Sequence, residues 1–449
     1  MKLNKIVKMP MHIQWYVTDK CQNNCLHCYL SESPSVPRGS KKSLDLKQKI
    51  DIIRLFDEFG DKYGFDFRNY MILGGDPLLD EDIFPFLEHL RALGKNIIMI
   101  GNPETLTDEN CSKLSKLKIN GFALSLDGLE KTHDFIRGKG SFQRTIEGHR
   151  KLYEYNIPSM TSFTLSLMNI DEFFDLIDYV FYNSKSRGFA FDFCNPVGNA
   201  KDIPLITPKQ ALYICNTYLK HGALRKNERP EFIYQKRSRL FGLLDMYQKN
   251  RAYIDRGKTE FYSGCPIGMR LCIYSDGSIP ICGRFPHILG KLPEESIEDI
   301  LLKNEILKMY RRPQFFEDCG KCIAWNWCRG CPAYANYGGG NSFKKPNICF
   351  AHLLDMNTHQ EHEPIPMDTT LQEEVNLIKN SIYYKFYPND SDANFRKLAT
   401  KITNKLSNPV EAQRFVDNPR KWFQHKAPSL KDNEQDCIIY QFNRNKRYL

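Results

Sequence analysis

Between residues 11 and 195, short apolar runs alternate with longer stretches of helical periodicity. His12–Thr18 reads as a strand. Leu46, Ile50, Ile53 and Phe56 then fall on one helical face, with Ser43 placed as N-cap and Gly60 as stop. The runs MILGG (71–75), NIIMI (96–100), FALSL (122–126), FTLSL (163–167) and FAFDF (189–193) read as further strands. Helical patterns separate them at Ile83–Leu93, near 108–117, near 142–155 and at Phe173–Tyr182. Six strands interleaved with helices predict an α/β fold with a parallel sheet and right-handed crossovers. Six units fall short of a closed eightfold barrel, so a partial (β/α)6 TIM barrel fits best. Ligands of such sheets gather at the carboxyl ends of the strands, which is where the loop after the first strand lies.

The pattern changes beyond residue 208. Residues 208–250 look helical and basic, 265–349 are dense in cysteine, and a His-, Glu- and Pro-rich linker (359–367) leads to a small, mostly helical tail. Three parts are therefore expected: a barrel with bridging helices over 1–250, a cysteine-rich domain over 251–355, and a tail over 356–449. No run of eighteen uncharged apolar residues occurs, and MKLNKIVKMP holds no apolar stretch of signal-peptide length, so a soluble cytoplasmic protein without a membrane span is expected. Net charge is +10, and residues 396–449 alone carry twelve Lys/Arg against five Asp/Glu. A basic end attracts acidic partners, with a solvated surface as the plainer reading. The terminal position of the excess and the lack of a recognisable nucleic-acid module argue against a nucleic-acid partner.

Fifteen cysteines without an export signal point to metal or redox chemistry rather than disulfides. Cys111, Cys194, Cys215 and Cys437 sit among apolar neighbours and read as small buried hydrophobes. The other eleven fall into two regions. In CQNNCLHCYL, Cys21, Cys25 and Cys28 are spaced C-x3-C-x2-C. Three thiolates on one tight loop suit three irons of a cubane and leave the fourth iron open, the mark of a catalytic metal site. Zinc is the alternative, and it would need a fourth ligand, for which His27 is poorly placed.

On these residues the sequence resembles the radical SAM superfamily, and further motifs appear in register. Gly74-Gly75-Asp76-Pro77 after the second strand looks like that family's GGEP turn, with Asp in place of the usual Glu. LSLDG (124–128), followed by His133, Asp134 and Arg137, resembles the strand-four region of peptide- and protein-modifying members. The resemblance implies a [4Fe-4S] cluster on the triplet. It also implies S-adenosylmethionine bound to the open iron, with Gly74, Gly75, Asp76, Pro77 and Ser125 contacting it.

The second array runs Cys265-x6-Cys272-x9-Cys282, then Cys319-x2-Cys322-x5-Cys328-x2-Cys331, then Cys349, with a hairpin expected at Asp276-Gly277. Eight cysteines suit two cubanes of four thiolates each, with two zinc-ribbon-like sites as the alternative. The array resembles the SPASM extension, although two residues rather than three separate Cys328 from Cys331. That resemblance implies one auxiliary cluster on Cys265, Cys272, Cys282 and Cys331 and another on Cys319, Cys322, Cys328 and Cys349, three [4Fe-4S] clusters in all.

Members of this kind mostly act on peptides or proteins, which implies a maturase that oxidatively modifies, and in particular cross-links, a ribosomally made precursor peptide. The partners implied are that peptide, a reductant such as flavodoxin or ferredoxin, and a separate leader-binding protein. Only about ten residues precede the first strand, so leader recognition is expected from the barrel, from the basic tail with Trp422, or from that partner. Sulfatase maturation, the oxidation of a Cys or Ser in a target protein, is the competing outcome. Those enzymes place an acidic base directly after the cysteine matching Cys282, whereas Gly283 and Arg284 follow here. Asp192 and Tyr29 are acid–base or relay candidates, with strand-end and loop roles as the plainer reading.

Overall fold

The structure, a computed structural model, describes residues 9–31 and 43–236, most of 270–354, residues 362–386, and scattered positions within 238–267 and 411–428. The six expected strands form as β1 (Met9–Tyr16), β2 (Phe65–Leu73), β3 (Asn96–Gly101), β4 (Gly121–Ser125), β5 (Ser159–Leu165) and β6 (Gly188–Phe193). Two more join them, β7 (Ile233–Lys236) and β8 (Arg270–Ile273), giving one sheet in the order β7-β6-β5-β4-β3-β2-β1-β8. Every neighbouring pair is parallel. Helices α1 (Leu46–Tyr63), α2 (Ile83–Ala92), α3 (Asp108–Lys116), α4 (Glu130–Arg137), α5 (Ser141–Glu154), α6 (Phe173–Asn183) and α7 (Pro208–Arg225) form the crossovers. The result is the partial TIM barrel that the alternation predicts.

Local departures have local causes. The N-cap of α1 is Asp45, not Ser43, because Asp45 and Gln48 close a capping box. The helix runs past Gly60 to Tyr63 and ends at Gly64 with φ 74°. Gly60 is instead a packing position, where a Cβ would stand 2.6 Å from the Phe65 carbonyl oxygen. Within the stretch expected to be wholly helical, α7 stops at Arg225 and β7 follows. The turn before Gly277 exists, with the Gly277 amide donating to the Tyr274 carbonyl at 3.0 Å. Its two arms part, however: β8 joins the barrel beside β1, while β9 (Ser278–Cys282) pairs antiparallel with β10 (Phe285–Lys291).

Alternation along β1 divides two environments. Met11, Ile13, Trp15 and Val17 pack outward into the large core that holds Ile52, Ile53 and Phe56 of α1. Tyr16 faces the other way, into a small cluster with Leu73 and Cys272. The barrel core is continuous with that of the cysteine-rich region: Ile279, Ile281, Ile300 and Leu307 of α8 (Glu305–Tyr310) belong to it. A second core joins β5, β6, α6 and α7 to Tyr334 of α9 (Pro332–Ala335), Ile348 and Phe350.

The first part of the tail is tied to the same body. Glu374 of α10 (Leu371–Phe386) is fully buried and accepts from Arg311 Nη1 at 2.9 Å and Arg312 Nη2 at 2.5 Å. Arg312 Nε also donates to the Pro366 carbonyl at 2.8 Å, which fixes the linker. Further on, α11 (Pro419–Lys426) buries Trp422 against Phe415 and Phe423, so Trp422 serves a local core. Most of the basic segment 396–449 lies outside the described residues. Removing one member of a buried ion network strands the others in a poor solvent. Glu374→Ala should therefore lower unfolding stability by about 3–5 kcal/mol, read as a shifted denaturation midpoint at unchanged slope.

Candidate active site at the carboxyl ends of the strands

The first cysteine loop follows β1 directly and lies over the carboxyl ends of the sheet. Each of its sides is pinned by a different element. The Leu26 amide donates to the Ile136 carbonyl of α4 at 3.0 Å. The Asn199 amide donates to the Cys28 carbonyl at 3.0 Å, and its side-chain Nδ2 to the Cys25 carbonyl at 3.0 Å. Gly198, at φ 63°, permits this clamp, since a Cβ there would stand 2.4 Å from the Cys28 oxygen.

Asp127 supplies the strongest tie. It is fully buried, and its Oδ2 meets His27 Nε2 at 2.9 Å and also accepts from Arg137 Nε. Its Oδ1 accepts from the Thr164 amide at 2.7 Å. Burial alone would push this carboxyl up, but Arg137, His27 and His133 outweigh burial and hold it far below the usual carboxylate range. His27 is thus committed to Asp127, and the loop, α4, β4 and β5 meet at one carboxylate. His133 is held down at about 4, chiefly by burial, and its Nδ1 accepts from the Asp127 amide at 2.9 Å.

The sulfurs of the loop face hydrogen-bond donors. Asn102 Nδ2, just after β3, lies 3.3 Å from Cys21 Sγ, and Arg137 Nη1 lies 3.7 Å from Cys25 Sγ. Burial raises the Cys25 thiol and Arg137 partly offsets this. Amide and guanidinium donors aimed at sulfur suit thiolates that ligate iron.

Gly74 and Gly75 have a nearer reason for being glycine than access to a ligand. A Cβ on Gly74 would stand 2.3 Å from the Thr18 carbonyl oxygen, and one on Gly75 2.1 Å from that of Lys20. The Gly75 amide donates to Thr18 and the Asp76 amide to Lys20, both at 2.8 Å. Asp76 is fully buried, turned inward onto Thr105 Oγ1 at 2.8 Å, and burial pushes its carboxyl up to about 6. Pro77 opens a buried 3-10 turn. Ser125 ends β4, half-buried beside Ser162.

In the second region Cys265 lies outside the described residues. The remaining seven cysteines fall into two neighbourhoods. Cys272 is pushed up to about 12, first by burial and then by Cys282, and Cys282 is raised by burial and by Cys331. Cys319 is raised by burial and then by Cys328, Cys349 and Cys322. Donors reach these sulfurs too: the Gly283 amide lies 3.3 Å from Cys272 Sγ, and the Ala324 amide 3.4 Å from Cys322 Sγ. Among the described residues no three His, Cys, Asp or Glu close around a single ion. A cubane takes one thiolate per iron and so accepts wider spacing. Cys111, Cys194 and Cys215 are buried, and Cys437 lies outside the described residues.

Both cysteine regions are tied to the barrel strands. Arg284, in the turn between β9 and β10, donates through Nη1 to Asp192 of β6 at 2.6 Å. Tyr29, which follows Cys28, shares a hydrogen bond with Tyr16 of β1 at 3.1 Å. Asn102, Asn199 and Gln14 belong to this constellation without any motif to announce them, since each acts through a contact distant in sequence.

Two predictions arise here. Asp127→Asn keeps the shape but loses the charge opposite Arg137 and His27, so anaerobically reconstituted protein should bind less iron than the parent, read by iron analysis. For Asp76 the folded value lies above the unfolded one. Its favourable contribution is therefore full below about 4 and lost as pH rises through about 6. The melting-temperature gain of Asp76→Asn over the parent should accordingly be larger at pH 7.5 than at pH 5.

Comparison with known proteins agrees with this architecture. Residues 15–180 match the radical SAM superfamily. The AdoMet-dependent heme synthase of Methanosarcina barkeri is 26% identical over 352 residues, 76% of this chain and 96% of that protein. The antilisterial bacteriocin subtilosin biosynthesis protein AlbA of Bacillus subtilis is 23% identical over 351 residues, 76% of this chain and 71% of that protein. Among solved structures, Streptococcus suis SuiB bound to precursor peptide SuiA superposes with a TM-score of 0.60 at 18% identity, covering 77% of each chain, and so shares the fold. Among the described residues no helix is long and apolar enough to cross a membrane. Residues 15–180, which carry the cysteine loop at the mouth of a partial barrel, thus match the radical SAM superfamily, and over 76% of its length the chain is similar to the heme synthase and AlbA while sharing the fold of SuiB.

Proposed function

We propose that this enzyme matures a ribosomally made precursor peptide by a two-electron oxidation that installs an intramolecular cross-link. The observation that carries the reading is the position of β8. Cys272 stands opposite Gln14 in the same sheet whose β1 leads into the first triplet, so a cysteine of the second region lies beside the strand that presents the first. An oxidation needs an electron sink within reach of the substrate, and fully thiolate-ligated clusters suit that role.

Cys21, Cys25 and Cys28 would hold the cluster with an open iron, which when bound supplies the reductive cleavage of S-adenosylmethionine to a 5′-deoxyadenosyl radical. The turn at Gly74–Pro77 and Ser125 would contact the methionine end. Asn102 and Arg137 offset thiolate charge at Cys21 and Cys25, and Asp127 keeps Arg137 ionised and in place. Cys265, Cys272, Cys282 and Cys331 would hold the nearer auxiliary cluster, and Cys319, Cys322, Cys328 and Cys349 the outer one. A flavodoxin- or ferredoxin-type reductant completes the cycle, and a separate protein supplies leader recognition if the barrel and tail do not. Gly283, directly after Cys282 where a sulfatase maturase would carry its acidic base, speaks against that competing outcome, and the next residue, Arg284, is a cation paired with Asp192. A second reading, heme formation on a tetrapyrrole, is favoured by the likeness to the Methanosarcina heme synthase over nearly all of its length.

Co-expression with a precursor peptide encoded beside the gene should give a product lacking two hydrogens, located by tandem mass spectrometry. An unmodified peptide together with a mass-shifted tetrapyrrole product on feeding an iron porphyrin would favour the second reading. The paired change Cys319→Ala with Cys322→Ala should remove one cluster's iron and abolish turnover while leaving 5′-deoxyadenosine formation from SAM. Full turnover in that variant would overturn the electron-sink role.

A further inference from the structure

Three polar side chains inside the barrel form a line that the proposed chemistry does not otherwise use. Gln14 and Tyr16 are two apart on β1 and so share a face. Gln14 Nε2 donates to Tyr16 Oη at 2.8 Å, and Tyr16 Oη shares a hydrogen bond with Tyr29 Oη at 3.1 Å. At the other end Cys272 Sγ stands 3.7 Å from Gln14 Oε1, with the Gly283 amide 3.3 Å from the same sulfur. The line thus runs from Cys272 to Tyr29, the residue after Cys28. Its surroundings are apolar: Leu73, Met71, Leu30 and Ile100. A Cβ on Gly283 would stand 1.9 Å from Tyr16 Oη, so the turn after β9 is built around this hydroxyl.

A line of amide and hydroxyl groups has a property that a fixed donor lacks. With a protonated Cys272 the thiol donates to Gln14 Oε1, and Gln14 donates onward to Tyr16. A ligating sulfur carries no proton and has only acceptor character. Turning the Gln14 amide over then brings Nε2 to the sulfur and Oε1 to Tyr16, whose hydroxyl rotates to donate back. Neither arrangement leaves a buried polar atom unmatched, because an amide holds both donors and an acceptor, and hydroxyl hydrogens rotate freely. An apolar pocket tolerates such a line only when it is fully satisfied.

We infer that Gln14 is a positioning residue for the auxiliary centre at Cys272, donating a side-chain N–H to the ligating sulfur and so setting that centre's reduction potential above what a bare thiolate would give. Hydrogen bonds to cluster sulfurs drain charge from them and favour the reduced state. Together with the Gly283 amide, Gln14 makes a two-donor clamp on one ligand, and Tyr16 with Tyr29 fixes the amide's orientation from behind. An electron sink facing the substrate gains driving force from this arrangement. The inference rests on the reading of Cys272 as a cluster ligand.

The test is an anaerobic redox titration of the reconstituted full-length enzyme, followed by electron paramagnetic resonance. Gln14→Leu removes the donor, and Gln14→Glu keeps the shape while placing an acceptor against the sulfur. Both should move one auxiliary midpoint to more negative potential, Glu further than Leu, with iron content and the first-triplet signal unchanged. Tyr16→Phe, which frees the amide to turn, should give a smaller shift in the same direction. Unmoved midpoints in the two Gln14 variants at full iron content would overturn the inference. Cys272→Ala separates the two claims: loss of one cluster's iron upholds the ligand reading whatever Gln14 does, and unchanged iron and spectrum in that variant would sink the ligand reading itself.

Discussion

A single buried carboxylate joins the elements on which the candidate chemistry depends. Asp127 has no exposed surface, yet it engages His27 from the cysteine loop, Arg137 from α4 and the Thr164 amide from β5. Burying a charge is costly, and only several partners in good geometry offset that cost. The carboxylate therefore cannot be satisfied unless the loop, the helix and two strands are all in place. Arg137 then carries the effect to the sulfur of Cys25. A loop of ten residues, with no regular structure of its own, acquires a defined shape from outside.

The same reasoning accounts for the other polar groups around the mouth. Gly74, Gly75 and Gly198 let backbone approach backbone, and Asn199 spans two carbonyls of the cysteine loop. Arg284, after Cys282, pairs with Asp192 of β6 and so ties the second cysteine region to the sheet. The sheet is where these pieces become one object, because β8 enters it beside β1 and brings Cys272 with it. The partition into a barrel and a cysteine-rich domain is thus one of sequence and chemistry, while the cores on the two sides are continuous.

Much of this was legible in the chain. Alternating strand and helix patterns placed all six barrel strands, because parallel strands buried on both faces read as short apolar runs. Around the barrel, β7 and α4 were missed, and β8 was expected as a hairpin arm rather than a strand of the sheet. Four-residue strands are too short to show a period, and α4 is amphipathic over barely two turns. The N-cap was placed two residues early because Ser43 and Asp45 carry equivalent capping chemistry, and only Gln48, meeting Asp45 reciprocally, decides between them. In the candidate site, the cysteines, GGDP and LSLDG announced themselves by spacing. Asn102, Asn199 and Gln14 did not, since an amide in a strand or loop carries no pattern until its partner is known.

The sequence by itself determined the fold class and the grouping of the cysteines, because hydrophobic period and residue spacing are local properties written over a few residues. Tertiary structure alone decided which sulfurs are neighbours, which cations and amides face them, and that Asp127 serves His27 and Arg137 rather than solvent. It also turned Trp422 into a core residue and Glu374 into the tie between the tail and the cysteine-rich region. These are matters of burial and of contacts across a hundred or more residues. Electrostatics in a dry interior is set by such contacts, and no local pattern encodes them.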